Sequence, residues 1–285
     1  MKSGKPLTRA ALKSFPLPRV VDGDKETKGR ILIIAGSREV AGAALLTATA
    51  AMRAGAGKLS MVTVEDVAVP TALAMPEAKV VGLEEARDGG FTRSAVSEIR
   101  KLADDVDVVV AGPGMASAKT CQQLAEELLK SEAEVVLDAA LLHSLQPAKS
   151  RTGPPVLLPH AGELSSLLGC TDEEIDEDPL GCGLRAAKTY NAIVLAKGVT
   201  SHVVTPDGRA WTYTGGAAGL GVSGSGDTLA GIVGGLLARG AEPLTALLWA
   251  VLLHGEAGEA LTKKAGPIGF LAREIPGEIP ALLAR

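Results

Sequence analysis

Residues 30–57 read RILIIAGSREVAGAALLTATAAMRAGAG. The first part, residues 30–35, is a short β-branched and aliphatic run that ends in Gly36-Ser37, the pattern of a parallel strand buried on both faces. Residues 40–54 are small and apolar without strand alternation and stop at Gly55 and Gly57, which predicts a helix. A buried strand, a glycine turn and a helix make one half of a crossover unit, and the same alternation recurs along the chain. Further strands are predicted at residues 58–64, 107–111, 134–138, 155–158 and 192–196, and helices at 92–102, 119–130, 161–168, 179–190, 227–239 and 243–263. Residues 202–205 and 209–213, separated by Pro206-Asp207-Gly208, read as a late antiparallel hairpin. The fold expected is α/β: one central, mostly parallel, doubly wound sheet with helices on both faces.

Composition supports a single domain over residues 1–285, with residues 1–27 as an N-terminal extension packing on it. The chain has 285 residues, 46% of them hydrophobic, so it can bury a large core; 34 glycines and 2% aromatics imply close backbone contacts built on Ala, Val and Leu. The net charge is −4, and no basic run or interleaving of aromatic and basic residues occurs, which argues against a nucleic-acid partner. Cys121, Cys170 and Cys182 lack C-x-x-C spacing, so neither a disulfide framework nor a zinc site is indicated. The N-terminus carries no continuous apolar stretch, and no uninterrupted span of membrane length is apparent, so a cytoplasmic protein without membrane attachment is expected.

In an open α/β sheet, ligands lie beyond the carboxyl ends of the strands. Gly36-Ser37, Gly112-Pro113-Gly114, Asp138, Pro159-His160-Ala161-Gly162-Glu163 and Lys197-Gly198 all follow predicted strands. Each has an ordinary reading: Gly-Pro-Gly as a turn, Glu163 as a helix cap, Lys197 as a solvated strand end. Five such turns on one edge make a site the stronger reading.

A sixth turn carries the chemistry. Residues 219–231 read GLGVSGSGDTLAG, a glycine-rich turn followed by Asp227 and an apolar helix. Backbone amides at such a turn converge on one spot, where the helix dipole adds partial positive charge. Gly224, Ser225 and Gly226 are thus expected to form an anion hole, and Asp227, ionised in the same field, to act as a general base. The ordinary alternative is that Asp227 caps the helix. A Rossmann fingerprint is excluded because Leu229 stands where its last small residue belongs, and a Walker A loop is excluded because no Gly-Lys-Ser/Thr occurs.

Taken in order, GRILIIAGS (29–37), AMRAGAG (51–57), AGPG (111–114), VLDA (136–139), PHAGEL (159–164), KG (197–198) and GSGD (224–227) closely resemble the ADP/ATP-dependent NAD(P)H-hydrate dehydratases of the ribokinase-like superfamily. The resemblance runs from about residue 28 to 262. It implies a ribokinase-like fold and a metabolite-repair lyase that restores hydrated NADH or NADPH, with ADP or ATP as phosphoryl donor and Mg²⁺ as cofactor. It implies that Lys197, Gly198, Val199, Thr200, Ser201 and Gly226 bind the nucleotide and that Ala43, Gly114, His160 and Asp227 meet the hydrated substrate. Asp227 is the catalytic base, and Glu163 and Asp138 are the carboxylates expected to reach the metal through water. A homo-oligomer, a tetramer among relatives, and a functional link to a separate NAD(P)H-hydrate epimerase are also implied.

The sequence departs from the family pattern in three places. Gly216-Ala217-Ala218-Gly219 stands where Gly-Asn-Pro-Gly is usual, Asp138-Ala139-Ala140-Leu141 replaces Asp-Ala-Asp-Ala, and a usual Thr is lost near Val222. Each lost hydrogen-bonding group is worth about 1–3 kcal/mol in a binding site. Two other readings therefore stay open at this stage: a small-molecule kinase of the same superfamily, and a nucleotide-binding sensor with impaired catalysis.

Overall fold

The computed structural model describes residues 4–19, 29–147, 151 and 153–285. In chain order the elements are β1 (Lys5–Pro6), α1 (Arg9–Leu12), β2 (Arg30–Ile34), α2 (Gly42–Ala54), β3 (Lys58–Val64), α3 (Glu65–Ala74), β4 (Ala78–Leu83), α4 (Arg93–Asp104), β5 (Val108–Ala111), α5 (Cys121–Leu128), β6 (Glu134–Leu137), β7 (Val156–Leu157), α6 (Ala161–Leu168), α7 (Asp172–Glu177), α8 (Pro179–Tyr190), β8 (Ile193–Ala196), β9 (Ser201–Val204), β10 (Ala210–Tyr213), α9 (Ser225–Ala238), α10 (Pro243–Ala265) and α11 (Ile275–Leu283). The strands form one sheet in the order β1-β10-β9-β8-β7-β6-β5-β2-β3-β4. Only β9 runs against the rest among the described strands, pairing antiparallel with both β8 and β10. The expected α/β architecture with its late hairpin is what the chain adopts.

The alternation of β2 shows how the sequence builds both layers. Ile31 and Ile33 enter one core with α2, α9, α10 and α11, while Leu32 and Ile34 enter the other with α4, α5, α6 and α8. Register is fixed because slipping β2 by one residue against β5 would exchange the two layers. The chain passes from β2 to β3 and β4 on one side, then returns to place β5 on the other flank of β2. Strand order therefore reverses between β2 and β5, where a crevice opens at the carboxyl edge.

Small residues set the spacing of α2 and α9. A Cβ at Gly231 would lie 2.2 Å from the Thr47 carbonyl oxygen, and one at Gly235 would lie 2.3 Å from that of Ala51. Small residues of both helices thus allow backbone-to-backbone contact between two helices that both begin at the site.

Six elements fall outside the sequence expectations: the short β1, α1 and α7, and the longer α3, β4 and α11. Helix α3 contains Pro70 and leaves Val69 and Leu73 exposed, so it lacks an amphipathic stripe; β4 includes Lys79 and Gly82; α11 contains Pro276 and Pro280. Prolines and weak periodicity hide such elements from pattern reading. Two expectations need correction. Helix α10, 23 residues long, is long and apolar enough to cross a membrane, contrary to the expectation that no stretch reaches that length; most of it is instead buried in the core beside α9 and α11. Helix α9 begins at Ser225 rather than Asp227, with consequences for the site.

Of the N-terminal extension, residues 4–19 lie among the described residues. β1 pairs with β10, Arg9 forms an ion pair with Glu256 at 2.5 Å, and the Trp249 indole donates to the Phe15 carbonyl at 2.7 Å.

Candidate active site

The crevice edge is laced together by backbone hydrogen bonds. The Gly36 amide donates to the Pro113 carbonyl at 2.8 Å, joining the loops after β2 and β5. The Lys197 amide donates to the Pro159 carbonyl at 2.9 Å, joining the loops after β8 and β7. Gly114 has φ 61°, in the left-handed region that favours glycine, and a Cβ there would lie 2.3 Å from the Ala43 Cβ and 2.8 Å from the Val40 carbonyl oxygen. Ala43 and Gly114, sequence-expected substrate contacts, therefore meet where α2 begins.

Lys197 forms the electrostatic centre. Its Nζ lies 2.8 Å from Asp138 Oδ1 and 3.8 Å from Glu163 Oε2, and both carboxylates are buried. Burial pulls the ammonium pKa down, but Asp138, Glu163 and Asp227 outweigh it, and the net direction is up. Lys197 is therefore a fixed cation. A Cβ placed on Gly226 would lie 3.7 Å from its Nζ, so the charge sits beside the glycine turn. Asp138 and Lys197 lie 59 residues apart in sequence, yet the parallel order β6-β7-β8 brings them to one edge.

The turn entering α9 differs in detail from expectation. Gly224 is the N-cap, with φ 89°, and a Cβ there would lie 2.4 Å from Leu46 Cδ1. Asp227 is the third helical residue and makes no capping bond, which removes the ordinary reading of this residue as a cap. Burial first, then the neighbouring Asp138 charge, push its carboxyl pKa up to about 6 against the opposing pull of Lys197. The sequence argument from the helix dipole expected a firmly ionised carboxylate; the enclosed site holds it nearer neutrality, where a general base is effective. The Ser225 amide is already used by the Val222 carbonyl at 3.1 Å, so it cannot serve an anion. Among the described residues, the amides of Gly224, Gly226 and Asp227 have no acceptor. The open donors at this turn therefore include Asp227 itself and exclude the expected Ser225 amide.

His160 and Glu163 form a capping box on α6. The Glu163 amide donates to His160 Nδ1 at 3.3 Å, and the His160 amide donates to Glu163 Oε2 at 2.8 Å. The imidazole is nevertheless 59% exposed toward the edge of the crevice. Asp138 and Glu163 both face Lys197, and among the described residues no group of three or more His, Cys, Asp or Glu side chains is placed to hold a metal ion.

Residues 197–201 span the β8–β9 turn. Lys197 points inward, Val199 is 100% exposed, and Ser201 Oγ both accepts from the Gly198 amide at 3.3 Å and donates to the Gly198 carbonyl at 3.1 Å. Sequence reasoning assigned no role to His254, whose Nε2 lies 3.1 Å from both the carbonyl oxygen and Oγ of Ser225. A histidine in the otherwise apolar run Trp249–Gly255 was the available signal.

Comparison with known proteins agrees with this layout. A family model described as NAD(P)H-hydrate dehydratase matches residues 31–281. The chain is 46% identical over 281 residues to the ADP-dependent (S)-NAD(P)H-hydrate dehydratase of Xanthomonas campestris, covering 98% of this chain and 96% of that protein. It is 33% identical to a bifunctional NAD(P)H-hydrate repair enzyme of Moorella thermoacetica, covering 97% of this chain but only 53% of that longer protein. Its fold superposes with TM-score 0.88 and 29% identity on the ADP/ATP-dependent NAD(P)H-hydrate dehydratase of Bacillus subtilis co-crystallised with ATP and Mg²⁺, covering 100% of this chain and 99% of that one.

Proposed function

The chain belongs to the NAD(P)H-hydrate dehydratase family, and from that membership we propose that it acts as a single domain repairing hydrated NADH and NADPH through phosphorylation by ADP or ATP. The observation that carries the mechanism is Asp227: a carboxylate in the first turn of α9, free of any capping bond, beside open backbone amides and the Lys197 ammonium.

Asp227 takes the proton from the ring hydroxyl of the hydrate, and the hydroxyl oxygen attacks the terminal phosphoryl group of the nucleotide. Charge developing on that group is met by the amides of Gly224, Gly226 and Asp227 and by Lys197. The phosphate ester is a good leaving group; the ring nitrogen's lone pair expels it, and loss of the adjacent ring proton restores the double bond. The products are the reduced dinucleotide, inorganic phosphate and the shortened nucleotide. Ala43, Gly114 and His160 position the hydrate, and Gly198, Val199, Thr200 and Ser201 carry the nucleotide. Ser201 ties the two ends of its own turn together, which presents Val199 outward as an apolar surface for the nucleoside.

The donor set fits a hydrated Mg²⁺ carried by nucleotide phosphates, with Asp138 and Glu163 reached through water, rather than a cage of protein ligands. When bound, the ion neutralises charge on the phosphates. We place the protein in the cytoplasm, acting beside an NAD(P)H-hydrate epimerase activity, as a homo-oligomer of the tetrameric kind; the exposed Val69 and Leu73 on α3 are the apolar surface that supports assembly. Helix α10, although long and apolar, is a core helix and offers no such surface.

Incubation with hydrated NADH and ADP or ATP, following recovery of the nicotinamide absorbance, tests the reading. Release of inorganic phosphate supports the dehydratase. A stable phosphoester product would identify a kinase instead, and no turnover would point to an impaired nucleotide-binding protein.

A further inference from the structure

The contact between His254 and Ser225 joins the core helix α10 to the first residue of the phosphate-binding turn. His254 Nε2 lies 3.1 Å from the Ser225 carbonyl oxygen and 3.1 Å from Ser225 Oγ. A carbonyl oxygen can only accept, so an unprotonated Nε2 at that distance would set two lone pairs against each other. Nε2 therefore carries the proton and shares it between the two oxygens. The imidazole is held neutral: burial pushes its pKa down to about 4, and Lys197 works in the same direction against the bond to the carbonyl. The remaining ring nitrogen bears no proton, and the tautomer is fixed by the backbone of α9.

This settles what the serine hydroxyl does. Its oxygen accepts from Nε2, so its own hydrogen cannot point at the imidazole. Among the described residues Ser225 Oγ has no other hydrogen-bond partner, although the residue is only 6% exposed. A buried hydroxyl proton without an acceptor is unfavourable. The open amides of Gly226 and Asp227 follow Ser225 in the same turn and the Lys197 ammonium lies beside Gly226, all donors, and the Asp227 carboxylate makes no bond to the hydroxyl. A ligand that satisfies the hydroxyl at this turn must therefore bring an acceptor, as a phosphoryl oxygen does.

We propose that His254, donating from Nε2, holds Ser225 so that its hydroxyl proton points into the phosphate-binding turn, making Ser225 Oγ a direct donor to the transferring phosphoryl group and His254 its positioning residue. The Ser225 amide is spent on Val222, so the residue contributes through its side chain where the sequence suggested its backbone. This inference rests on phosphoryl transfer at the α9 turn as proposed above.

The test compares Ser225→Ala, His254→Leu, His254→Gln and the double variant Ser225→Ala/His254→Leu. The readouts are kcat with hydrated NADH and ADP, and ADP affinity by calorimetry. Loss of one donor to a developing charge lowers kcat about 10- to 100-fold, and ADP affinity should stay within about threefold because the amides and Lys197 remain. His254→Leu should reproduce that loss, His254→Gln, which returns an N–H near the same place, should recover most of it, and the double variant should be no slower than the slower single one. A Ser225→Ala enzyme within twofold of wild type would overturn the inference and leave the dehydratase reading standing. So would a double variant whose loss is the product of the two single losses. A wild-type protein that turns over no hydrated NADH would overturn both.

Discussion

Replacing Asp227 with Asn removes the ionisable group while keeping the side chain's size, and the structure gives both a kinetic and a thermodynamic consequence. The carboxyl is displaced from 3.8 to about 6, mainly by burial, which corresponds to roughly 3 kcal/mol of opposition to folding when the group is ionised. That figure is already net of the attraction to Lys197, and solvent screening at the partly exposed edge of the carboxyl trims it to about 1–2 kcal/mol. Because the folded-state pKa is raised, the penalty is absent below the ordinary carboxylate range near pH 4, grows between there and about pH 6, and is complete above it. Asp227→Asn should therefore be more stable than wild type by about 1–2 kcal/mol at pH 8, with the gap closing by pH 4. An argument from helix capping alone gives the opposite sign, a loss of up to about 1 kcal/mol. In the same variant kcat should fall about 100- to 10,000-fold, with ADP still bound, while wild-type turnover should rise as pH passes about 6. Urea denaturation at pH 8 and pH 4, together with the nicotinamide absorbance assay, measures all of this. A variant that retains more than about a tenth of wild-type turnover would refute the general base, and one less stable than wild type at pH 8 would refute the electrostatic argument.

Gly114→Ala places a Cβ against Ala43 and a non-glycine residue in the left-handed region; kcat/KM for the hydrate should fall at least about tenfold while ADP affinity, measured by calorimetry, changes little. Lys197→Met leaves Asp138 and Glu163 buried without their cation, so denaturation at pH 8 should show a loss of about 3–5 kcal/mol; a loss below about 1 kcal/mol contradicts the central ion pair. ADP should support turnover, because the 197–201 turn has no basic residue besides Lys197 to hold a third phosphate; a saturating rate about ten times higher with ATP reverses that expectation. Light scattering at micromolar concentration should give the mass of an oligomer, and a monomer would remove the assembly proposal.

The sequence exposed the parts of this molecule whose physics is local. Residues 58–64, 161–168 and 179–190 begin and end in the structure where their β-branched runs, Gly169, and the Asp178-Pro179 start predict. The carboxyl-edge turns were legible because glycines and charges directly after buried runs have few structural uses. What stayed hidden depends on contact between distant segments. The pairing of Lys197 with Asp138, the exhaustion of the Ser225 amide by Val222 and the approach of His254 to α9 are not periodic features. Helix α11 was lost for another reason: Pro276 at its start is compatible with a first turn, but Pro280 suggests a break that tertiary packing of Ile275, Ile279 and Leu282 overrides.

The glycine contacts between α2 and α9 bear on how the enzyme can move. At Gly231 and Gly235 the two helices meet main chain against main chain, with the alanine side chains of Ala50 and Ala54, which have no rotamers to yield, beside the contacts. The first turn of one helix carries Ala43 and the first turn of the other carries Asp227, so the proposed seats of hydrate and base travel as one rigid body. The distance between the proposed seats of substrate and base is therefore a property of the frame. A single methyl at Gly231, about one helical turn from Asp227, would act as a wedge, tilting both seats at once and weakening hydrate binding and catalysis in the same stroke.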